Sequence, residues 1–434
     1  MSRQRLGSAF GWLWTGFAVS TAGTWLGFGA FPLIAVTVLG AGPAQVSALA
    51  AAGTAAGALL ALPLGPWAER RRKRPVMIGA DAVRCAALLS VPVAYWCGLL
   101  TYTQLLAVSA VTAAAGITFT SVGGAHLKQI VRPEHLVVAH GRFEATTWTA
   151  TTVGPVAGGA AVGLLGPVAT VAANALGFLA SALAVAAIRG REERPARPEP
   201  ARAADLVRGW RFIHADPVLR PLFRNTVAVN ALIMATEPLL AVLLLGELGW
   251  SAWQYGMALG LPCLGGLCGA RLAPRLEARY GRRRVLRAAG TLRAVWPLGL
   301  VPVVPGPAGM VLVIAVQAAM ITCIGVFNPL FAAERLRRVP AERAARVLVA
   351  WNVTRSVVVA AVTALWGLLA AVTGARSAIA AAGVLLLLTP LLLSAGTHRP
   401  ASSPTPESDG RLRPPSGPGR KDTLGDGSVP GERS

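Results

Sequence analysis

The chain has 434 residues, of which 54% are hydrophobic and only 14% are charged, and its formal net charge is +22. A soluble protein would carry about 25% charged residues, so this composition excludes an ordinary soluble fold. A nucleic-acid-binding protein would need a soluble basic face, whereas the 41 Lys and Arg residues of this chain lie mainly between long apolar runs. We therefore expect no nucleic-acid partner.

Twelve apolar runs follow one another along the chain, each long enough to cross a hydrocarbon layer of about 30 Å as a helix. The first run is too long for the core of a signal peptide and has no evident cleavage site, so we expect it to be retained as a membrane span. The predicted spans are residues 12–38, 44–66, 75–97, 104–126, 140–162, 167–188, 223–245, 254–272, 285–304, 309–331, 347–370 and 377–396.

The positions of the Lys and Arg residues predict the orientation of these spans. All but four of the 41 lie in the two termini, in the even-numbered connections or at the span ends that adjoin those connections; the exceptions are Arg84, Arg293 and Arg355 deeper inside spans, and Arg376. Because Lys and Arg resist translocation, the rich side is predicted to be cytoplasmic, with both termini inside.

The long sixth connection divides the chain into two sets of six spans. In this connection Leu206, Trp210 and Ile213 recur at helical spacing, which predicts a short amphipathic helix on the inner membrane surface. The predicted organisation is a cytoplasmic tail (1–10), a six-helix bundle (11–189), a cytoplasmic linker (190–220), a second six-helix bundle (221–396) and a disordered cytoplasmic tail (397–434).

The two halves contain a matching stretch. "RKRPVMIGADAVRCAA", from residue 72, aligns with "GRRRVLRAAGTLRAVW", from residue 281, at an offset of 209 residues that places Arg84 over Arg293. Both stretches join the second span of a half to its third. Duplicated six-span halves suit a carrier whose halves rock about a central site, so we predict an all-α membrane protein with two pseudo-symmetric bundles.

The connection after the second span, "GPWAERRRKR", resembles the inter-helix motif G-x-L-A-D-R-x-G-R-R of major facilitator superfamily transporters. Matching residues are Gly65, Ala68, Arg70, Lys73 and Arg74, with Glu69 in place of the Asp. The resemblance implies a cytoplasmic gate with a charge network of Glu69, Asp81 and Arg355. Two alternatives stay open: the cations set orientation only, or Asp81 and Arg84, three residues apart, form a structural pair.

The fifth span, "HGRFEATTWTATTVGPVAGG", resembles the exporter motif g-x8-G-x3-G-P-x2-G-G of the same superfamily. The matching residues are Gly141, Gly154, Pro155, Gly158 and Gly159, and Ala150 replaces one Gly. Small residues allow helices to approach closely and Pro bends a span. By resemblance, this segment is a hinge and a seal against leakage, associated with export.

The resemblance covers roughly residues 8 to 396 and is strongest to the enterobactin-exporter-like and drug-exporter branch, including the runs from Leu136 to Phe223 and from Val326 to Leu348. It implies a monomeric exporter of a small amphipathic organic compound in the bacterial cytoplasmic membrane, exchanging its substrate for protons by alternating access. A facilitator or importer, or a transport-inactive sensor, remains an alternative. The fourth span lacks the arginine usual in proton antiporters before His126, so two alternatives stay open: transport is not coupled to protons, or other residues carry the coupling.

Ionisable groups inside the membrane are costly and mark candidate functional sites. Glu144 in the fifth span and Glu237 in the seventh are the proton-carrier candidates, because burial disfavours the charged carboxylate. Alternatives are an interfacial salt bridge for Glu144 and a solvated position at the outer mouth for Glu237. Candidates for lining an aromatic and apolar substrate cavity are Trp25, Trp148, Asn230, Trp351 and Asn352.

No catalytic, metal or cofactor site is predicted. The five cysteines lie within apolar spans without ligand spacing, and His126, His135 and His140 have no carboxylate or Cys partners at such spacing. There is no GxxxxGK[ST] phosphate loop, so the chain is not expected to hydrolyse ATP, and we expect no enzyme activity.

Overall fold

The computed structural model describes residues 7–27, 29–69, 71–132, 135–188 and 203–394. This part of the chain is helical with short connections. The helices of the first half are α1 (Ser8–Leu26), α2 (Ala30–Thr37), α3 (Pro43–Glu69), α4 (Lys73–Trp96), α5 (Tyr102–Ile130), α6 (Leu136–Leu165) and α7 (Pro167–Ala186).

The second half follows helix α8 (Ala203–Ala215), which occupies the stretch where the sequence predicts a short amphipathic helix. Its helices are α9 (Leu219–Ala241), α10 (Ala252–Gly260), α11 (Cys263–Tyr280), α12 (Arg282–Val295), α13 (Pro307–Arg338), α14 (Ala341–Thr373), α15 (Ala375–Leu388) and α16 (Pro390–Ser394). Helix α9 continues as a π-helix over Val242–Glu247, and α12 continues as a 3-10 helix over Trp296–Leu300.

Nine segments of the described chain are long and apolar enough to cross a membrane. The predicted second, fifth and ninth spans coincide with α3, α6 and α12 and its 3-10 extension. The protein is therefore an all-α membrane protein with twelve spans in two six-helix halves.

Two spans are broken on the side opposite the basic connections. The first is interrupted between α1 and α2, where Gly27 and Gly29 flank the break. The eighth is interrupted between α10 and α11, where Pro262 has no N–H to donate to a continuous helix. We call the side of the α3–α4, α5–α6, α11–α12 and α13–α14 connections the basic side, and the other end of the spans the opposite side.

Helix pairing repeats between the halves. In the first half α1 packs on α6 and α7, and α3 packs on α5; in the second half α9 packs on α14 and α15, and α11 packs on α13. Three of the four buried apolar clusters lie within one half, taking α8 with the second half, and the fourth joins first-half residues to Val242 of the second half; these clusters stabilise the helix pairs. The repeated pairing is the three-dimensional counterpart of the sequence repeat.

Candidate functional site

Two glycines of α6 bring this helix against α1. A Cβ atom at Gly154 would overlap Trp25, and one at Gly158 would overlap the backbone carbonyl of Leu26. No residue larger than glycine fits either position without moving a helix. The contact lies where the first span breaks, so the sequence motif of α6 positions that break.

The next glycine, Gly159, faces the other half. A Cβ atom there would lie 2.7 Å from the Cα atom of Gly256 and 2.9 Å from the carbonyl oxygen of Ala252. Beside this contact, a Cβ atom at Gly29 would lie 3.2 Å from the ring of Tyr255. The remaining void is about 10 Å³, roughly the volume that one water probe fills. The halves are tightly packed at this point.

A second contact between the halves joins α3 and α14. A Cβ atom at Gly367 would lie 2.7 Å from the hydroxyl oxygen of Ser47, which is itself fully buried. Among the described glycines, those with a nearest neighbour in the other half all lie on the opposite side; they are Gly29, Gly159, Gly163, Gly246 and Gly367. The glycine-mediated approaches of the halves that the structure describes are therefore on the side away from the basic connections.

A buried ion pair holds α4 in the first half. Arg84 lies 3.2 Å from the carboxylate of Asp81 and donates hydrogen bonds to Ser20 (2.9 Å) and Thr24 (2.7 Å) on α1. Its guanidinium also lies over the ring of Phe178, 3.6 Å from the ring centroid. The pair thus joins α4 to α1 and α7 of the same half.

Arg293 occupies the matching place in the second half without a carboxylate partner among the described ion pairs. It donates a 2.7 Å hydrogen bond to Asn225 on α9 and lies over the ring of Phe327, 3.7 Å from the centroid. At the position that matches Asp81, the second half has Gly290. A Cβ atom at Gly290 would lie 2.9 Å from the side chain of Leu393, which occupies the space of the missing carboxylate. The repeat therefore conserves the cation and its link to the first helix of each half, but not the acid.

The polar partners of these two arginines were not singled out in the sequence. Ser20, Thr24 and Asn225 are isolated polar residues in apolar runs, and no spacing marks them. The usable signal is the arginine itself, since a buried guanidinium requires acceptors on neighbouring helices.

The connection that resembles the superfamily motif is described in part. Gly65 and Glu69 are on the helical backbone of α3 without described side-chain surroundings, and Arg70 lies outside the described residues. Beyond them, Lys73 is buried at the start of α4, and Arg74 donates a hydrogen bond to the carbonyl oxygen of Ala186 at the end of α7.

The structure does not join Asp81 to Arg355. Asp81 pairs with Arg84 inside the first half, whereas Arg355 donates a 3.4 Å hydrogen bond to Asn230 inside the second half. Asp81 and Arg355, the described members of the predicted network, are therefore not paired with each other in this conformation, and the side chain of Glu69 lies outside the described part.

The two candidate carboxylates differ in what the structure describes. Glu144 lies on α6, and its side chain is outside the described part, as are those of Trp148 and Pro155. Glu237, on α9, hydrogen-bonds the side chain of Gln317 on α13 and lies close to Tyr255 on α10. Gln317 and Tyr255 are buried, at 3% and 5% exposure, whereas Glu237 itself is half-buried, so it lies against two packed helices.

One of the cavity candidates is corrected by the structure. Trp351 is only 2% exposed and packs between Phe223 and Phe331, with ring centroids 4.6 Å and 5.2 Å away, so it is a core residue of the second half. Asn352, the next residue, is exposed, and Asn230 is half-buried. Within the described residues, no group of three or more His, Cys, Asp or Glu side chains is arranged to hold a metal ion.

Solved transporters share this fold. The chain is similar to the nucleoside transporter NupG (12% identity, TM-score 0.72) and to a bacterial homologue of the iron transporter ferroportin in an inward-facing state (16% identity, TM-score 0.73), covering 91% of this chain and 100% of each of those. It is also similar to a POT family transporter in complex with a thioalcohol-conjugated peptide (11% identity, TM-score 0.67), covering 89% of this chain and 95% of that one.

No curated protein matches the chain in sequence. The sequence profile of the Major Facilitator Superfamily, however, matches residues 13–363, which is most of the two six-helix halves. Together with the repeated helix pairing, this match shows that the chain is a membrane transporter that belongs to the Major Facilitator Superfamily.

Proposed function

We propose that the protein exports a small amphipathic organic compound across the bacterial cytoplasmic membrane, in exchange for protons, by alternating access. The observation that carries the proposal is the contact of Gly159 with Gly256, which closes the halves together on the opposite side. The glycine motif that makes this contact resembles the motif of exporters. The basic side is then the cytoplasmic side, from which a monomer would load its substrate.

Glu237 is the stronger candidate for proton coupling. A carboxylate in its position accepts a hydrogen bond from the amide of Gln317, and the protonated acid can instead donate to the amide oxygen of Gln317. That oxygen is buried and has no hydrogen-bond partner among the described residues. A rotation of one amide would thus satisfy both protonation states, as a proton carrier requires. Glu144 is the second candidate.

The cytoplasmic gate is proposed to close in the opposite conformation. Among the described residues, Arg355 has one long hydrogen bond, to Asn230 in its own half, and exchanging that bond for another would cost little. We propose that it then meets Glu69 and Asp81, with Arg70, Lys73, Arg74 and Arg84 completing the network. The hinge is Gly154, Pro155, Gly158 and Gly159.

The substrate is proposed to bind between the halves near Trp25, Trp148, Asn230 and Asn352. Trp25 is fixed by its contact with Gly154 at the break of the first span, which places an aromatic ring beside a point that must move for the halves to separate. Aromatic and amide side chains suit a compound that has both apolar and polar parts.

Transport in everted vesicles tests the proposal. With an imposed pH gradient, vesicles containing the protein should accumulate a compound from a panel, and Glu237→Gln should abolish this gradient-driven uptake. The matched control is Glu247→Gln on the same span, where the carboxylate is exposed. Exchange of labelled for unlabelled compound without a gradient should survive in Glu237→Gln, since only coupling is removed.

Two results would reject parts of the proposal. Uptake that persists when the gradient is collapsed rules out proton antiport, and accumulation in right-side-out cells identifies an importer. Equal loss in Glu237→Gln and Glu247→Gln assigns the effect to general surface charge.

A further inference from the structure

Four arginines gather at the junction of α8 with the beginning of α14. Arg208 and Arg211 on α8 and Arg343 and Arg346 on α14 line a pocket of about 520 Å³ on the basic side. The pocket also adjoins the first turn of α14, where unsatisfied backbone N–H groups favour an anion.

Among the described residues, the lining of this arginine pocket contains four arginines and no carboxylate, and Arg208 and Arg346 also make contacts of their own. Glu334 and Asp216 are bound to Arg338, and Asp216 also accepts hydrogen bonds from the first backbone N–H groups of α9. In the sequence, Asp205 and Glu342 adjoin the four arginines, which outnumber these two carboxylates. The described lining of the pocket therefore carries a net positive charge.

An apolar groove adjoins the arginine pocket. It has a volume of about 620 Å³ and lies between the same two helices, lined chiefly by Val207, Trp210, Val353 and Val357, and Arg211 borders both spaces. Val207 and Val357 are 51% and 48% exposed. Farther along the same span, α14 also has the exposed apolar side chains Leu365, Leu368 and Val372.

Helix α8 is fixed firmly enough to form a built site. A Cβ atom at Gly209 would lie 2.9 Å from the Cβ atom of Ala350, so the two helices are in close backbone contact. The indole N–H of Trp210 donates a 2.7 Å hydrogen bond to the hydroxyl of Thr354. The contact between α8 and α14 therefore determines the shape of both the arginine pocket and the apolar groove.

We propose that this junction binds one anionic phospholipid of the cytoplasmic leaflet, with its phosphate among the four arginines and an acyl chain in the groove. A charged head beside a long apolar groove, at the level where a span leaves the membrane, matches the two parts of such a lipid. A free anion would use the arginines but not the groove. A neutral lipid would use the groove but not the arginines.

Native mass spectrometry of the purified full chain tests the site. Phosphatidylglycerol should bind as one retained molecule, and Arg211→Gln/Arg343→Gln should weaken its binding by about tenfold or more, because each arginine contributes separately. The matched control is Arg283→Gln/Arg284→Gln, which removes two exposed arginines of the same side from α12. This control should change binding less than twofold, about the scatter of such measurements.

A second variant tests the groove. Val353→Trp fills it, and should weaken binding of long-chain phosphatidylglycerol while leaving a six-carbon-chain analogue unaffected. Each variant must retain the lipid-free melting temperature; if Val353→Trp does not, Val353→Phe replaces it.

Three outcomes would overturn the assignment. If phosphatidylcholine binds as tightly as phosphatidylglycerol, the arginines do not select the lipid, and the site is only an apolar groove for neutral lipid. Inorganic phosphate displacing phosphatidylglycerol at matched ionic strength leaves only an anion site. Equal weakening by both arginine pairs leaves only diffuse attraction to the surface.

Discussion

Gly158 and Gly159 are adjacent in sequence but belong to different contacts. Gly158 packs on Leu26 within the first half, whereas Gly159 packs on Gly256 of the second half. Overpacking by one methyl group costs about 1–3 kcal/mol. Gly158→Ala should therefore lower the free energy of unfolding, while Gly159→Ala should mainly destabilise the conformation in which the halves are closed on the opposite side.

Cysteine labelling from outside the cell separates these two effects. Gly159→Ala should increase the labelling rate of a cysteine placed at Tyr255, by about fivefold or more if the closed conformation loses 1 kcal/mol. Gly163→Ala is the control, because its Cβ atom would make an ordinary 3.9 Å contact with Trp253. An unchanged rate in Gly159→Ala would show that this contact does not close the pathway.

The Asp81–Arg84 pair calls for a double-mutant cycle. Asp81→Asn and Arg84→Gln should each cost about 3–5 kcal/mol of unfolding free energy, because each leaves a buried charge uncompensated. The double variant should cost clearly less than the sum, with a coupling energy of about 1–3 kcal/mol. Additive losses, measured by denaturation in detergent, would show that the two charges are not coupled. Arg293→Gln, which breaks no ion pair among the described residues, should cost less than Arg84→Gln.

At the scale of single residues, the sequence identifies the arginines inside the spans but not the side chains that surround them. Arg84 and Arg293 stand out because a charge in an apolar run is rare, and their shared offset gives the repeat. The burial of Trp351 could not be read in the same way. An aromatic residue in a span has the same sequence pattern whether it faces a cavity or, as here, Phe223 and Phe331.

Among the helices, hydropathy predicts the spans but not their breaks. The run 12–38 reads as one span, yet the structure divides it at Gly27–Gly29. Averaged hydropathy is insensitive to a single irregular turn, and this turn depends on contacts with α6 and Tyr255 that are distant in sequence. In a membrane such a turn is tolerated where it is buried in protein.

The contact of α8 with α14 yields a prediction for one element. Gly209→Ala should push α8 away from Ala350, and amide hydrogen exchange within 203–215 should accelerate by about fivefold or more for a loss of 1–3 kcal/mol. Val207→Ala, at an exposed position of the same helix, is the control. Unchanged exchange in Gly209→Ala would mean that α8 is held by other contacts than this one.

For the whole molecule, the distribution of arginines predicts topology. In a variant without the five native cysteines, Cys at Arg72 should be inaccessible to an impermeant maleimide in intact cells. Cys at Leu99, a 71% exposed residue in the connection between α4 and α5, should be labelled. Labelling of Cys at Arg72 but not of Cys at Leu99 would show that the basic side faces out of the cell. The side on which the halves are closed would then be the cytoplasmic side.

The repeated pairing of α1 with α6 and of α9 with α14 makes each half a unit that can move as a body. The close glycine contacts between the halves lie on the opposite side. A carrier must never be open to both sides at once, so when the halves separate on the opposite side they must approach each other on the basic side.

Paired spin-label distances measure this motion directly. One pair joins Val38 to Glu247 on the opposite side, and the other joins Gln129 to Arg337 on the basic side; all four residues are exposed. Alternating access predicts a short Val38–Glu247 distance in the structure described here, and shifts of opposite sign in the two pairs between acid and alkaline pH. Shifts of the same sign, or a Val38–Glu247 distance that never changes, would contradict it.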